Sequence, residues 1–146
     1  MTIKIDQAFI KRILEGGLEI DIVHEDGNYS QWGSYYTHIT GVYTPTASRP
    51  YLEIKNFPSI TSAFSVADTD EHLGLFQVII RYPVDAAGIA IKRKAEQVLS
   101  LLKVGATLLY EDQKIFIDSN SRDGGRVEGG FYQIVARANY RAYVNR

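Results

Sequence analysis

The chain contains no cysteine, a single tryptophan (Trp32), a single methionine and four prolines in 146 residues. Without cysteine there is no disulfide framework, no thiolate nucleophile and no sulfur-ligated metal site. Neither sign of charge dominates: 16 basic residues stand against 17 acidic ones, a net charge of -1. That balance removes the broad attraction on which non-specific nucleic-acid binding depends, and no sequence-specific nucleic-acid partner is expected. Long apolar runs are also missing, so no membrane span is expected, and the opening residues Met1 to Asp6 do not have the pattern of a secretion signal. What remains, 45% hydrophobic and 23% charged residues, is the composition of a globular protein long enough to bury one core as a single domain over 1–146. The excess lies in tyrosine, with 10 residues, which suits half-buried strands and contact surfaces with one dry and one wet side.

Periodicity organises the rest. Residues 74–83 place Phe76, Val78, Ile80 and Tyr82 on one face and Leu75, Gln77, Ile79 and Arg81 on the other, a strand with one face toward a core. Pro83 closes it, Asp85 is positioned to cap a helix, and Ala87, Ile91, Ala95, Val98, Leu99 and Leu102 then recur at helical spacing before Gly105 provides a left-handed exit. Residues 132–144 alternate cleanly, with Tyr132, Ile134, Ala136, Ala138, Tyr140, Ala142 and Val144 on the apolar face. A short first helix is expected with Asp6 as its cap, Phe9, Ile10, Ile13 and Leu14 on its buried face, and Gly16-Gly17 at its end.

Residues 18–24 alternate as a short strand, with turn chemistry at 25–28. From 29 to 49 the chain is expected to be loop with one extended piece at 38–43, and 50–58 is a strand bracketed by prolines, easiest to place at a sheet edge or at strand ends. Residues 59–72 form a long polar connection suited to projecting as an arm. Strands 107–110 and 114–119 make a hairpin, and 119–130, with four glycines, is expected to be a mobile loop that leaves Arg122 and Arg126 accessible. The fold class that follows is α+β: one domain, a mainly antiparallel sheet with helices packed on one face.

Nothing in this pattern carries catalysis. Asp68, Asp70, Glu71 and His72 gather in one segment but lack the glycine and the downstream glutamate of a calcium loop, and short acidic segments are usually solvated. His24, His38 and His72 are too dispersed for a zinc site. Residues 124–130 have the glycine spacing of a phosphate loop, but Gly130 and Phe131 stand where lysine and a hydroxyl residue are needed, and a strand follows in place of a helix. Lys92, Arg93 and Lys94 lie where the polar face of a helix carries charge anyway. Trp32, Tyr35 and Tyr36 leave a carbohydrate-binding module as the reading from another class, although three nearby aromatics more often pack or form an interface. No catalytic residue, cofactor or metal is expected.

Taken in order, Pro50-Tyr51-Leu52, Gly74 with Gln77-Val78, Tyr82-Pro83, the helix, the hairpin, and Phe131-Tyr132 leading to Tyr140-Arg141-Ala142 resemble the bacteriophage tail terminator-like family. The resemblance covers the last two-thirds of the chain; Phe131 stands where that family often has tryptophan, and residues 18–44 are longer than its usual linker. It implies a tail-completion protein, not an enzyme. Such a protein assembles as a ring, a hexamer, on the finished tail tube, ends polymerisation and presents a surface to the head-tail connector. The expected partners are copies of itself, the tail tube protein and the connector, and the expected location is the virion tail, with assembly in the host cytoplasm. Within virion assembly, another head-tail joining or minor tail protein is the alternative. The segments 59–72 and 119–130 supply the candidate assembly contacts Asp68, Asp70, Glu71, Arg122 and Arg126.

Overall fold

A computed structural model describes residues 3–46, 49–63, 69–84 and 88–145. The element order is α1 (Ile3–Leu14), β1 (Asp21–Val23), β2 (Tyr29–Trp32), β3 (Tyr36–Ile39), β4 (Tyr51–Ala63), β5 (Thr69–Pro83), α2 (Gly88–Leu101), β6 (Thr107–Tyr110), β7 (Gln113–Arg122), β8 (Arg126–Glu128) and β9 (Phe131–Asn145). The strands form one sheet in the order β3-β2-β1-β4-β5-β9-β7-β6, with β8 added to β9 beyond the end of β7. All pairs are antiparallel except β1 with β4. The expected α+β class with a mainly antiparallel sheet is the one observed.

The alternation in β5 and β9 builds the core. Phe76, Val78, Ile80, Ile134, Ala136, Ala138, Tyr140 and Ala142 are almost fully buried on the face shared with Ile91, Ala95, Val98 and Leu102 of the α2 segment. Of the expected face, Leu102 is fully buried, while Leu99 is only half-buried and packs against the edge of the core. The carbonyls left open at the end of α2 are met from outside the helix: Asn120 Nδ2 donates to Leu102 O at 3.1 Å, and Arg12 Nε donates to Leu101 O at 2.9 Å. Gly105, at φ 86°, makes the predicted left-handed exit.

Helix α1 is tied to the sheet by an aromatic stack. Phe9, Phe76 and Tyr140 lie ring on ring at 4.1 and 4.2 Å between centroids. The Tyr140 hydroxyl donates to Asn56 Oδ1 at 2.8 Å, and Asn56 Nδ2 donates to Asp6 Oδ1 at 2.6 Å. Asp6 is therefore not the cap expected from the sequence, since α1 starts at Ile3 and the carboxylate serves as an anchor to β4.

Three other expectations are corrected. Residues 29–49 hold two short strands in place of the single extended piece expected at 38–43: β2 and β3 pair from Tyr29↔Ile39 to Trp32↔Tyr36. The connection 59–72 is mostly strand: β4 continues to Ala63 and β5 begins at Thr69, paired through Ala63↔Asp70. Pro58 is accommodated within β4 at a register shift between Pro58 and Ile60. The segment 119–130 is not one loop either, since β7 runs to Arg122 and β8 pairs with β9. The expected cap Asp85 and the helix residue Ala87 lie outside the described residues.

Candidate assembly surfaces

Among the described residues no group of three or more His, Asp or Glu side chains is placed to hold a metal ion. No described helix is long and apolar enough to cross a membrane. The depression lined by Asp6, His24, Glu25 and Asp26 brings no nucleophile to a base.

The structure sorts the candidate contacts along β9. Arg122 pairs with Ala136 in register and Arg126 with Gln133, so both lie toward the start of that strand. Asp70 pairs across β5 with Val144, and Glu71 with Tyr143, near its other end. Eight strand positions separate Ala136 from Val144, about 27 Å at 3.3–3.4 Å per residue. The sequence-based candidates thus form two groups toward opposite ends of β9, and Asp68 lies outside the described residues. Arg122 and Arg126 are exposed, and Arg126 makes a surface ion pair with Glu128 at 3.1 Å.

The acidic group belongs to an arm. Beyond Asn56 the strands β4, β5 and β9 continue side by side, with Glu71 opposite Ser62 on one flank and Tyr143 on the other. Phe57 is 45% exposed there, and Thr61, Ser62 and Ala63 are exposed. The exposed side chains of Thr61, Ser62 and Ala63 lie within reach of another molecule, while Ala142 and Val144 of the neighbouring β9 stay buried in the core.

The basic group sits beside a turn fixed by Asp123. Its Oδ1 accepts from the backbone N–H groups of Gly125 and Val135, both at 3.1 Å, and carries the chain from β7 into β8 along the same edge of β9. The glycine run is therefore turn chemistry, in agreement with the argument against a phosphate loop. Near it Val84 and Val127 are 49% and 63% exposed, and Val84 N–H donates to Gly130 O at 3.3 Å.

The sheet face opposite the helices carries two ion pairs. Arg81 forms an ion pair with Glu53, donates to Gln133 Oε1 at 3.2 Å and lies over the Tyr51 ring. Arg141 pairs with Asp118 at 3.2 Å and covers Phe116. The long side chains shield Ile79 and Val135, which are nearly buried although no helix covers them.

The aromatic corner is not a flat stacking platform. Trp32 and Tyr36 meet edge to face at 4.8 Å and are half-buried, while Tyr35 projects at 71% exposure. Beneath them lies a polar hub that sequence reasoning missed. Asp21, 2% exposed, accepts from Arg49 Nε at 2.5 Å, Arg49 Nη2 at 2.8 Å, the Trp32 N–H at 2.8 Å and the Tyr43 hydroxyl at 3.2 Å. Burial alone would raise the Asp21 carboxyl, but Arg49, the Trp32 N–H and Tyr43 outweigh it and hold the group below its usual range. Burial and then the Asp21 charge push the Tyr43 hydroxyl up. The available signal was an aspartate inside the apolar alternation 18–23.

The model of the family described as phage tail terminator protein matches residues 39–140. No curated protein matches the chain. One solved structure covers 97% of this chain and 95% of its own length at a TM-score of 0.72 and 16% sequence identity, a likeness that shows the fold alone.

Proposed function

The chain belongs to the phage tail terminator family, a structural family, and from that membership we propose that it caps the tail tube as a ring, ends tail polymerisation and prepares the head-tail junction. The observation that supports the reading beyond the family match is the placement of contacts. A ring seated on a tube needs one set of surfaces for its neighbours and another for the tube below and the connector above. The arm with Asp70 and Glu71, and the opposite end with Arg122, Arg126 and Val127, supply separate surfaces on one subunit. The ring is a hexamer in this reading, assembled in the host cytoplasm and retained in the virion tail. Copies of the chain, the tail tube protein and the connector are its partners, with no cofactor.

Deletion of the gene tests it. Phage lacking this protein are expected to produce overlong tails or tails unattached to filled heads in electron micrographs, with normal length restored by expression of the parent chain. Tails of normal length joined to filled heads in the deletion strain would overturn the reading.

A further inference from the structure

Among the described residues the half-buried arginines are Arg12, Arg49, Arg81 and Arg137. The first three each have an acceptor: Arg12 donates to Leu101 O, Arg49 to Asp21 and Arg81 to Glu53. The Arg137 side chain makes no hydrogen bond or ion pair with any described residue. A guanidinium is all donor, and half-burial takes part of its water away, so its N–H groups are left short of acceptors. Such a group calls for an explanation, because partly dried donors are usually paired.

The register places Arg137 in a row across the sheet. Lys55 stands opposite Gln77, Gln77 opposite Arg137, and Arg137 opposite Ser121. The row lies on the face away from the helices, since Phe76, Val78, Ala136 and Ala138 beside it point into the core. None of the four side chains is acidic, and none bonds to another described residue. Lys55 and Arg137 are two strands apart, about 10 Å between Cα atoms, so both side chains reach a group seated over Gln77. On either side of the row the cations are already matched, Arg81 by Glu53 and Arg141 by Asp118. Toward the arm lie half-buried Leu75 and, opposite it, Phe57 at 45% exposure.

We propose that Arg137 and Lys55 receive a carboxylate from the end of the tail tube, with an apolar side chain of the same segment resting against Phe57 and Leu75. The inference rests on the ring reading above and identifies its contact with the tube. Chemistry selects the occupant. A guanidinium takes either a carboxylate or a phosphate through paired N–H bonds, but a nucleic-acid backbone laid across this row meets the charges of Glu53 and Asp118 on its flanks. A single carboxylate fits between them. A second copy is a poor source of that acid. The described carboxylates of this chain without a bonded partner are Glu15, Glu19, Glu71 and Glu96. Glu15 and Glu96 follow Lys11 and Lys92 by one helical turn, Glu19 lies near Lys94, and Glu71 belongs to this same sheet face. The acid therefore comes from a different protein, and the one that a cap must hold is the tube.

Tubes isolated from phage lacking the gene are sedimented with the purified full chain over a range of concentrations. Arg137→Gln and Arg137→Glu are expected to weaken binding about tenfold or more, and Arg137→Lys less, because lysine keeps the charge without the paired N–H bonds. Arg93→Glu, at an exposed arginine of α2, is expected to bind as the parent does. Thermal melts check that each variant keeps the fold. A carbodiimide, which joins an amine directly to a carboxylate, identifies the partner with no substitution at Arg137. The expected product links Lys55 to an aspartate or glutamate of the tube protein, and Lys55→Arg removes it. A Lys55 link only to another copy of this chain, or no Lys55 link at all, overturns the assignment. So does a DNA duplex that the parent retains and Arg137→Glu releases. Rings seated on tube ends as readily by Arg137→Glu as by the parent remove this contact and leave the ring reading standing. A parent chain that forms no end-bound ring and gives no link to the tube removes both.

Discussion

The β5-β9 ladder and the corner built by β1, β2 and β3 solve the same problem, holding an extended chain in place, by opposite means. Strands β5 and β9 stay in register for fifteen consecutive pairs, from Thr69↔Asn145 to Pro83↔Phe131, and bury an apolar face along most of that length. Strand β1 has three residues, and its corner is closed by one buried aspartate with partners on Trp32, Tyr43 and Arg49. The first arrangement spreads its stability over many weak, similar contacts. The second concentrates it in a few polar ones, which makes it more specific and more easily broken.

The largest effect that sharpens this contrast is expected at Phe76, the middle ring of the stack between Phe9 and Tyr140. Phe76→Ala is expected to cost about 3–5 kcal/mol and to weaken the whole domain, because the cavity opens between α1 and the sheet. Urea unfolding followed by far-UV circular dichroism measures it, and an unchanged midpoint would mean that the stack is not part of the cooperative core.

Asp21→Asn is the corresponding change in the corner. The amide keeps the shape but loses the charge that faces Arg49, and since Arg49 is 42% exposed, solvent limits the loss to about 1–3 kcal/mol. Hydrogen exchange is expected to rise in β1, β2 and β3 while β5 and β9 remain protected. Uniform loss of protection would show that the corner and the ladder unfold as one unit.

The smallest effect is a dependence on acid. Burial lowers the proton affinity of His24; the Asp26 charge opposes that shift, and nearby His38 adds to it. The unfolded histidine therefore takes up a proton before the folded one, so the corner is expected to lose stability as the pH falls through 6.5. Asp21, held below its ordinary 3.8, adds a second loss only below that value. His24→Gln is expected to remove the first step and leave the second; equal acid sensitivity in parent and variant above pH 4.5 would exclude His24 as its source.

The same comparison explains what was legible in the sequence. Period-two alternation over 74–83 and 132–144 reports a local geometry, each residue facing opposite its neighbours, and the sheet preserved it. The helix face from Ile91 to Leu102 was legible for the same reason. The corner was not, because Asp21 meets a guanidinium 28 residues away and no local period records that pairing. Strand continuation through 59–63 and 69–73 was hidden by polar composition: a strand exposed on the arm has no need of apolar alternation. Among the candidate contacts, chemistry singled out Asp70, Glu71, Arg122 and Arg126, but only the register showed that they divide between two ends.

Strand β9 has a consequence in time as well as in space. It pairs with β5, β7 and β8, yet it is made after every other described element. While the chain is being synthesised, β5 and β7 each wait with an unfilled edge for a strand that does not yet exist, and the stack on Phe76 lacks Tyr140. The sheet therefore closes in a late, non-local step, slow by the standards of helical domains, and the nascent chain is most open to wrong pairing just before that closure. Crowded synthesis of many identical copies, each with the same waiting edges, is the condition under which that order of events matters most.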